Sequence, residues 1–146
     1  MRRPAFGQHS LTAVMSIEMT VHQVDSYLHF RVTGINSPEN VRHYFSQVQE
    51  FCAQQQCPFV LIEENLQGPG LKLSDIYQLV AEGSQRVFPH VRRLAYVDTN
   101  PLHSSSDMQF AENVAVNRGL NMRVFARVED AEQWITAEAA RVRSGG

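Results

Sequence analysis

Ser16 to His22 reads S-I-E-M-T-V-H, a strict alternation that sets Ile17, Met19 and Val21 on one side. A period of two sends successive side chains to opposite faces, so the pattern predicts a half-exposed strand. Asp25-Ser26 supplies a turn, and Tyr27–Thr33 (YLHFRVT) alternates again with Leu28, Phe30 and Val32 inward. The two segments predict an antiparallel hairpin ending at Gly34.

The period then changes. Val41, Tyr44, Phe45, Val48, Phe51 and Cys52 recur at helical spacing as far as about Gln54, which makes one apolar stripe. Ser37 is placed to cap this helix, Pro38 suits the first helical position, and Glu39 favours the positive end of the helix dipole. Pro58 bars continuation. Phe59–Ile62 and Leu94–Val97 are unbroken apolar runs, expected of strands covered on both faces. Between them, a helix from about Ser74 to Val87 carries Ile76, Leu79, Val80 and Val87 on one stripe. After Asp98 the polar turn TNPLHSSSD leads to a third helical face, Met108, Ala111, Val114 and Ala115, ended by Gly119. Met122–Phe125 is a last short strand. The final helix, roughly Glu129–Val142, presents Ala131, Trp134, Ile135 and Ala139 and leaves Ser144-Gly-Gly as a frayed end.

The order β-β-α-β-α-β-α-β-α predicts an α/β fold: a mixed, mostly parallel five-stranded sheet with four helices, its first strand an antiparallel edge. A chain of 146 residues is long enough for one continuous core. We therefore expect a single domain over residues 14–143. A flexible tail is expected at 1–13, where Pro, Gly, Gln and Ser occur without periodicity.

Composition removes several function classes. With 43% hydrophobic and 19% charged residues the chain is neither disordered nor fibrous. A net charge of −2, with no basic run beyond Arg2-Arg3 and Arg92-Arg93, argues against nucleic acid and anionic membrane surfaces. The start, MRRPAFGQHSLTAVM, has no apolar stretch of signal-peptide length, and no later segment reads as a membrane span or anchor. Cys52 and Cys57 are too few for a structural zinc site, so a cytoplasmic protein with reduced thiols is expected. No metal or cofactor is expected.

The antiparallel pair leading to Gly34, the strand FVLIEE followed by a loop and a helix near Ser74, the strand RRLAYVDTN, and the closing MRVFARVEDAEQWI are strung along the chain in a telling order. Together they resemble the STAS and SpoIIAA-like domains, the group that includes bacterial anti-sigma factor antagonists. The closing segment, a strand ending in Phe125 and an acidic helix start with Ala131 and Trp134-Ile135, is most similar to the SpoIIAA-like subfamily labelled STAS/SEC14. The likeness spans about Ser16 to Ile135. It implies a SpoIIAA-like fold with strands in near-sequential order and a regulatory or binding role. One departure stands out. The antagonists carry Asp-Ser-Ser-Gly, with a phosphorylated serine, at the loop-to-helix junction after the third strand. Here that region reads G-P-G-L-K-L-S-D, and Asp75 follows Ser74 where the family's aspartate precedes.

Candidate chemistry gathers in Val60–Asp75, VLIEENLQGPGLKLSD. Gly68, Gly70 and Lys72 lack the spacing of a phosphate-cradling loop, and Pro69 removes an amide donor. The dinucleotide fingerprint is incomplete as well. Glu63, Glu64 and Asn65 are expected to end the third predicted strand, and Asp98, Thr99 and Asn100 the fourth, at one edge of the sheet. Two carboxylates there either work as acid and base or simply solvate strand ends. None of the six histidines has metal-site spacing. His22 and His29 fall on polar faces of the hairpin, His43 on the outer side of a helix, and His103 alone can approach Asp98. Ser74 is expected to cap its helix beside Asp75, and the same amides make it a candidate phosphoacceptor. Leu66, Leu71, Leu73, Phe110 and Val116 look exposed and could form a recognition surface, the alternative being that Leu71 and Leu73 fold back onto the core.

The expected function is a non-enzymatic regulatory or binding module of the STAS/SpoIIAA-like type. It would engage a small apolar ligand or a protein partner, a second copy of the chain among the candidates. The contact edge follows the third predicted strand and comprises Glu64, Leu66, Leu71, Leu73, Ser74, Asp98, Asn100 and Phe110. The alternative is a small-molecule hydrolase using Glu63, Glu64, Asp98 and His103.

Overall fold

The computed structural model describes residues 9–10, 17–87 and 90–145. The two alternating segments pair as β2 (Ile17–Val24) and β3 (Tyr27–Ile35), antiparallel, with Val24 opposite Tyr27 and Ile17 opposite Gly34. Before them, β1 (His9–Ser10) pairs antiparallel with β2 and adds a two-residue edge to the expected five strands. The rest of the tail expected at 1–13 lies outside the described residues.

Helix α1 (Pro38–Gln55) starts as its sequence dictates: the Ser37 side chain accepts a hydrogen bond from the Asn40 amide at 3.1 Å, and Pro38 follows directly. Strand β4 (Phe59–Gln67) leads to α2 (Leu73–Glu82), which runs into one π-helical turn at Gly83–Val87. Then come β5 (Arg93–Asp98), α3 (Ser105–Asn117), β6 (Met122–Phe125) and α4 (Val128–Gly145).

Among the described residues the sheet has six strands in sequential order, β1 to β6, and β3 through β6 run parallel. This is the order that the resemblance to SpoIIAA-like domains implies. Parallel crossovers are right-handed, so a sheet that grows in one direction collects its connecting helices on one face. Accordingly α1, α2 and α3 pack with Phe30, Val32, Val60, Ile62, Leu94 and Tyr96 in the larger core. The opposite face is covered by α4, whose Ala131, Ile135, Ala139 and Val142 meet Phe59, Leu61, Ala95 and Val97.

Four expectations are corrected. His29 is buried rather than on a polar hairpin face, because its side of β3 lies under the α4 layer and not in water. The third predicted strand does not stop at Glu63–Asn65; it continues to Gln67 because β3 goes on pairing with it as far as Ile35. Ser74 does not cap α2. The helix starts earlier, Lys72 holds the cap position without a side-chain hydrogen bond, and Ser74 is exposed inside the first turn. The C-terminal helix runs through Ser144 to Gly145 instead of fraying, with the Ser144 hydroxyl donating to the Ala140 carbonyl at 2.8 Å.

Candidate functional site

Because β4 extends through Gln67, Glu64 lies within the sheet rather than at its tip. Alternation then separates the neighbouring carboxylates. Glu63 joins the face opposite the three helices, where it meets His29 Nε2 at 2.9 Å and Arg31 Nε at 3.3 Å. Glu64 turns to the three-helix face and is 4% exposed.

An isolated buried carboxylate is costly unless it is neutralised or hydrogen-bonded. Glu64 shows both remedies. The Tyr44 hydroxyl of α1 donates to its Oε2, Tyr96 of β5 also hydrogen-bonds it, and the two phenol oxygens lie 3.5 Å apart. Burial, together with the negative charge of Asp98, pushes the Glu64 carboxyl up to about 7, against the lowering effect of the two hydroxyls. Burial and then Glu64 hold both phenols well above their ordinary range, so they remain neutral.

Asp98 ends β5 beside Glu64 in the strand register. Its Oδ2 lies 2.7 Å from His103 Nδ1, and its Oδ1 accepts from the Asn100 amide at 3.0 Å. The pair is almost fully enclosed, with side chains 3% exposed for Asp98 and 4% for His103. The other imidazole nitrogen, Nε2, faces the Gly68 carbonyl at 2.9 Å. Burial pulls the His103 pKa down, but the Gly68 carbonyl and Asp98 outweigh it, and the net shift is upward.

Glu64, Tyr96, Asp98 and His103 line a cavity of about 60 Å³. Its lining is mostly apolar, with Phe45, Ile76, Leu79, Met108 and Ala111 among others, and its polar members are Asn36, Glu64, Tyr96, Asp98, His103 and Asp107. Gly70 and Leu71 of the β4–α2 loop complete the wall. One water occupies roughly 10–15 Å³ on this measure, so the space suits several waters or one compact molecule.

Of the residues singled out from the sequence, Glu64, Leu71, Asp98 and His103 line this cavity together, and His103 does approach Asp98. Leu66, expected in an exposed loop, is fully buried in the core as part of β4. Asn100 is buried with a structural duty: its Nδ2 donates to the Leu66 carbonyl at 2.7 Å and its Oδ1 accepts from the Leu102 amide at 2.9 Å. Phe110 packs half-buried against the larger core. Leu73 is 51% exposed and Ser74 is exposed as well, both at the start of α2. Glu63 stands on the other face, away from the remaining members of the proposed hydrolytic set.

Tyr44 and Tyr96 stand in the sequence only as members of apolar stripes, and their role in the site is not expected from it. The available signal is chemical: a tyrosine in a buried stretch must find a partner for its hydroxyl. A glutamate continuing an apolar strand run is that partner.

No family model matches the chain, and no curated protein matches it. A solved structure that it is similar to is an uncharacterized protein of the DUF3478 family from Shewanella loihica, described as having a SpoIIAA-like fold. The identity is 20%, covering 82% of this chain and 94% of that one, with a TM-score of 0.49.

Proposed function

We propose that the protein is a non-enzymatic binding module that holds a compact small molecule in the cavity beneath the β4–α2 loop. The apolar body of the ligand lies against Phe45, Ile76, Leu79 and Met108, and an uncharged or cationic hydrogen-bonding head meets Glu64. The observation that supports this most is that Glu64, hydrogen-bonded to Tyr44 and Tyr96, lines a mostly apolar cavity together with Tyr96, Asp98 and His103. Such enclosure with a few convergent polar groups is what small-ligand sites share. Among the described residues lining the cavity there is no lysine or arginine, and the one imidazole, His103, is already paired with Asp98, whereas Glu64 and Asp107 add further acidic groups, so an anionic head is disfavoured. The protein-partner reading loses support because Leu66 is buried and Leu71 packs on the core. We place the module in the cytoplasm, where its two free cysteines, Cys52 and Cys57, would stay reduced.

The test is a set of primary amines, alcohols and carboxylates of about four to six carbons, matched to the cavity size. Each is titrated while two-dimensional amide spectra are recorded. Amines and alcohols should perturb the amides of Glu64, Leu71 and Ala111, and carboxylates should not. Perturbations confined to the surface around Leu73 and Val116 would favour a protein partner instead.

One observation favours a second reading. Glu64, with its carboxyl near 7, can both give and take a proton at neutral pH, and the Asp98–His103 pair shares its cavity. A small-molecule hydrolase built on Glu64, Asp98 and His103 would therefore cleave a short-chain p-nitrophenyl ester, and Glu64→Gln would not. Absence of turnover above buffer by the native protein retires this reading.

A further inference from the structure

The β4–α2 loop, residues 68–72, supplies Gly70 and Leu71 to the cavity wall. Two side chains tie it down. Asn36 Nδ2 donates to the Pro69 carbonyl at 3.0 Å, and His103 Nε2 lies 2.9 Å from the Gly68 carbonyl. Only the second tie involves a titratable group.

A backbone carbonyl only accepts, and so does an ionised carboxylate. His103 has one on each side, the Gly68 oxygen at Nε2 and Asp98 Oδ2 at Nδ1. A neutral imidazole has one N–H and one lone pair, so one of these contacts would set lone pair against lone pair. The imidazolium satisfies both. We propose that His103 is a proton-dependent latch on the mouth of the cavity: doubly protonated, it bridges Asp98 to the Gly68 carbonyl and holds the loop closed, and loss of one ring proton releases the loop.

The surroundings agree. Asp98 faces the ring from β5, Glu64 acts on it from β4, and Asp107 of α3 shares with it the space over Gly70. All three are carboxyl groups. On the loop itself Lys72 is exposed. The upward shift at His103 fixes the direction of the effect: the latch is complete below about pH 6.5 and is lost as pH rises through the higher folded-state value. Gly68 supplies a joint for the movement, since its φ of 103° is open to glycine and a side chain there would have met nothing within 4 Å. The consequence for ligand entry rests on the binding reading above. The latch itself does not.

The experiment uses the ligand-free full chain. Ring ¹⁵N shifts of His103 and exchange protection of the Gly70, Leu71 and Lys72 amides, each corrected for intrinsic exchange, are followed from about pH 5 to about pH 9. Both ring nitrogens should carry protons at the acid end, and protection should fall about tenfold with the midpoint of the His103 titration. His103→Gln should abolish that step, and Asn36→Ala should lower protection at every pH while keeping it. Flat protection across the titration, or a singly protonated ring at the acid end, overturns the latch, and either result can be obtained on the native protein alone. The amine and alcohol probes are scored separately. A latch that titrates with no probe bound sinks the binding reading, and bound probes with flat protection sink the latch alone.

Discussion

Glu64 on β4 and Asp98 on β5 are register partners in adjacent parallel strands, and both side chains reach the same cavity from the face covered by three helices. Like charges so placed oppose each other, and the structure gives the two carboxyls different company. Asp98 has an imidazole at 2.7 Å, whereas Glu64 has two phenol hydroxyls. Burial is the larger cause of the upward shift at Glu64 and the negative charge of Asp98 adds to it, while the two hydroxyls work against both.

That shift makes stability depend on pH. A carboxyl raised from 4.5 to about 7 contributes stability that is complete below about pH 4.5 and is lost as pH climbs through about 7. The loss approaches roughly 3 kcal/mol at the alkaline end. Urea unfolding at a series of pH values should show the native protein weakening across this window. Glu64→Gln should remove most of that slope and be the more stable form at pH 8. Parallel curves for the two proteins would mean that Glu64 titrates normally.

Tyr44→Phe tests the cluster from its other side. The hydroxyl it removes is buried and donates to Glu64. Leaving a buried acceptor short of a donor costs about 1–3 kcal/mol. Since that bond lowers the Glu64 pKa, its loss should move the carboxyl higher still, as read by a ¹³C titration of the side chain. Tyr77→Phe is the control: Tyr77 is 45% exposed, so its change in stability should stay within about 0.5 kcal/mol.

Much of this scaffold is legible in the sequence because its signals are local. The hairpin shows in alternation, α1 in Ser37 and Pro38, and the covered strands in unbroken apolar runs. What the sequence hides is non-local. Glu63-Glu64 looks like a strand end until β3 is seen still pairing beyond it, and His29 looks solvent-facing until a helix about a hundred residues downstream in the sequence covers its side. Ser74 has the right chemistry for a cap, but Leu73 already belongs to the helix. The Glu64, Tyr44 and Tyr96 cluster unites β4, α1 and β5, and no stretch of the chain holds two of its members together. A Glu64–Asp98 pairing is within reach only as a shared edge; the enclosure that gives it chemistry comes from α2, α3 and their loop.

The leucines around the β4–α2 junction should divide sharply. Leu66 is fully buried, so Leu66→Ala should cost about 2–5 kcal/mol in chemical denaturation. Leu73, half in solvent, should change stability by less than about 0.5 kcal/mol when truncated. Equal costs would place Leu73 in the core and undo the assignment of β4 through Gln67.

The cavity can also be filled from within. Ala111 of α3 is buried and lines it, so the added carbons of Ala111→Leu enter existing space instead of displacing neighbours. Filling a true void adds apolar contact and commonly stabilises by about 0.5–2 kcal/mol, whereas forcing the same atoms into a packed interior costs about 1–3 kcal/mol. The sign of the change in unfolding free energy therefore reports whether the space is open. Binding gives the second readout: a six-carbon amine that perturbs the native protein should leave Ala111→Leu untouched, because the leucine occupies its place. Val116→Leu, on the exposed side of the same helix, should leave both stability and binding unchanged. A stabilised Ala111→Leu that still bound the amine would put the ligand elsewhere on the molecule, and Glu64 would then be a buried acid with no ligand to meet.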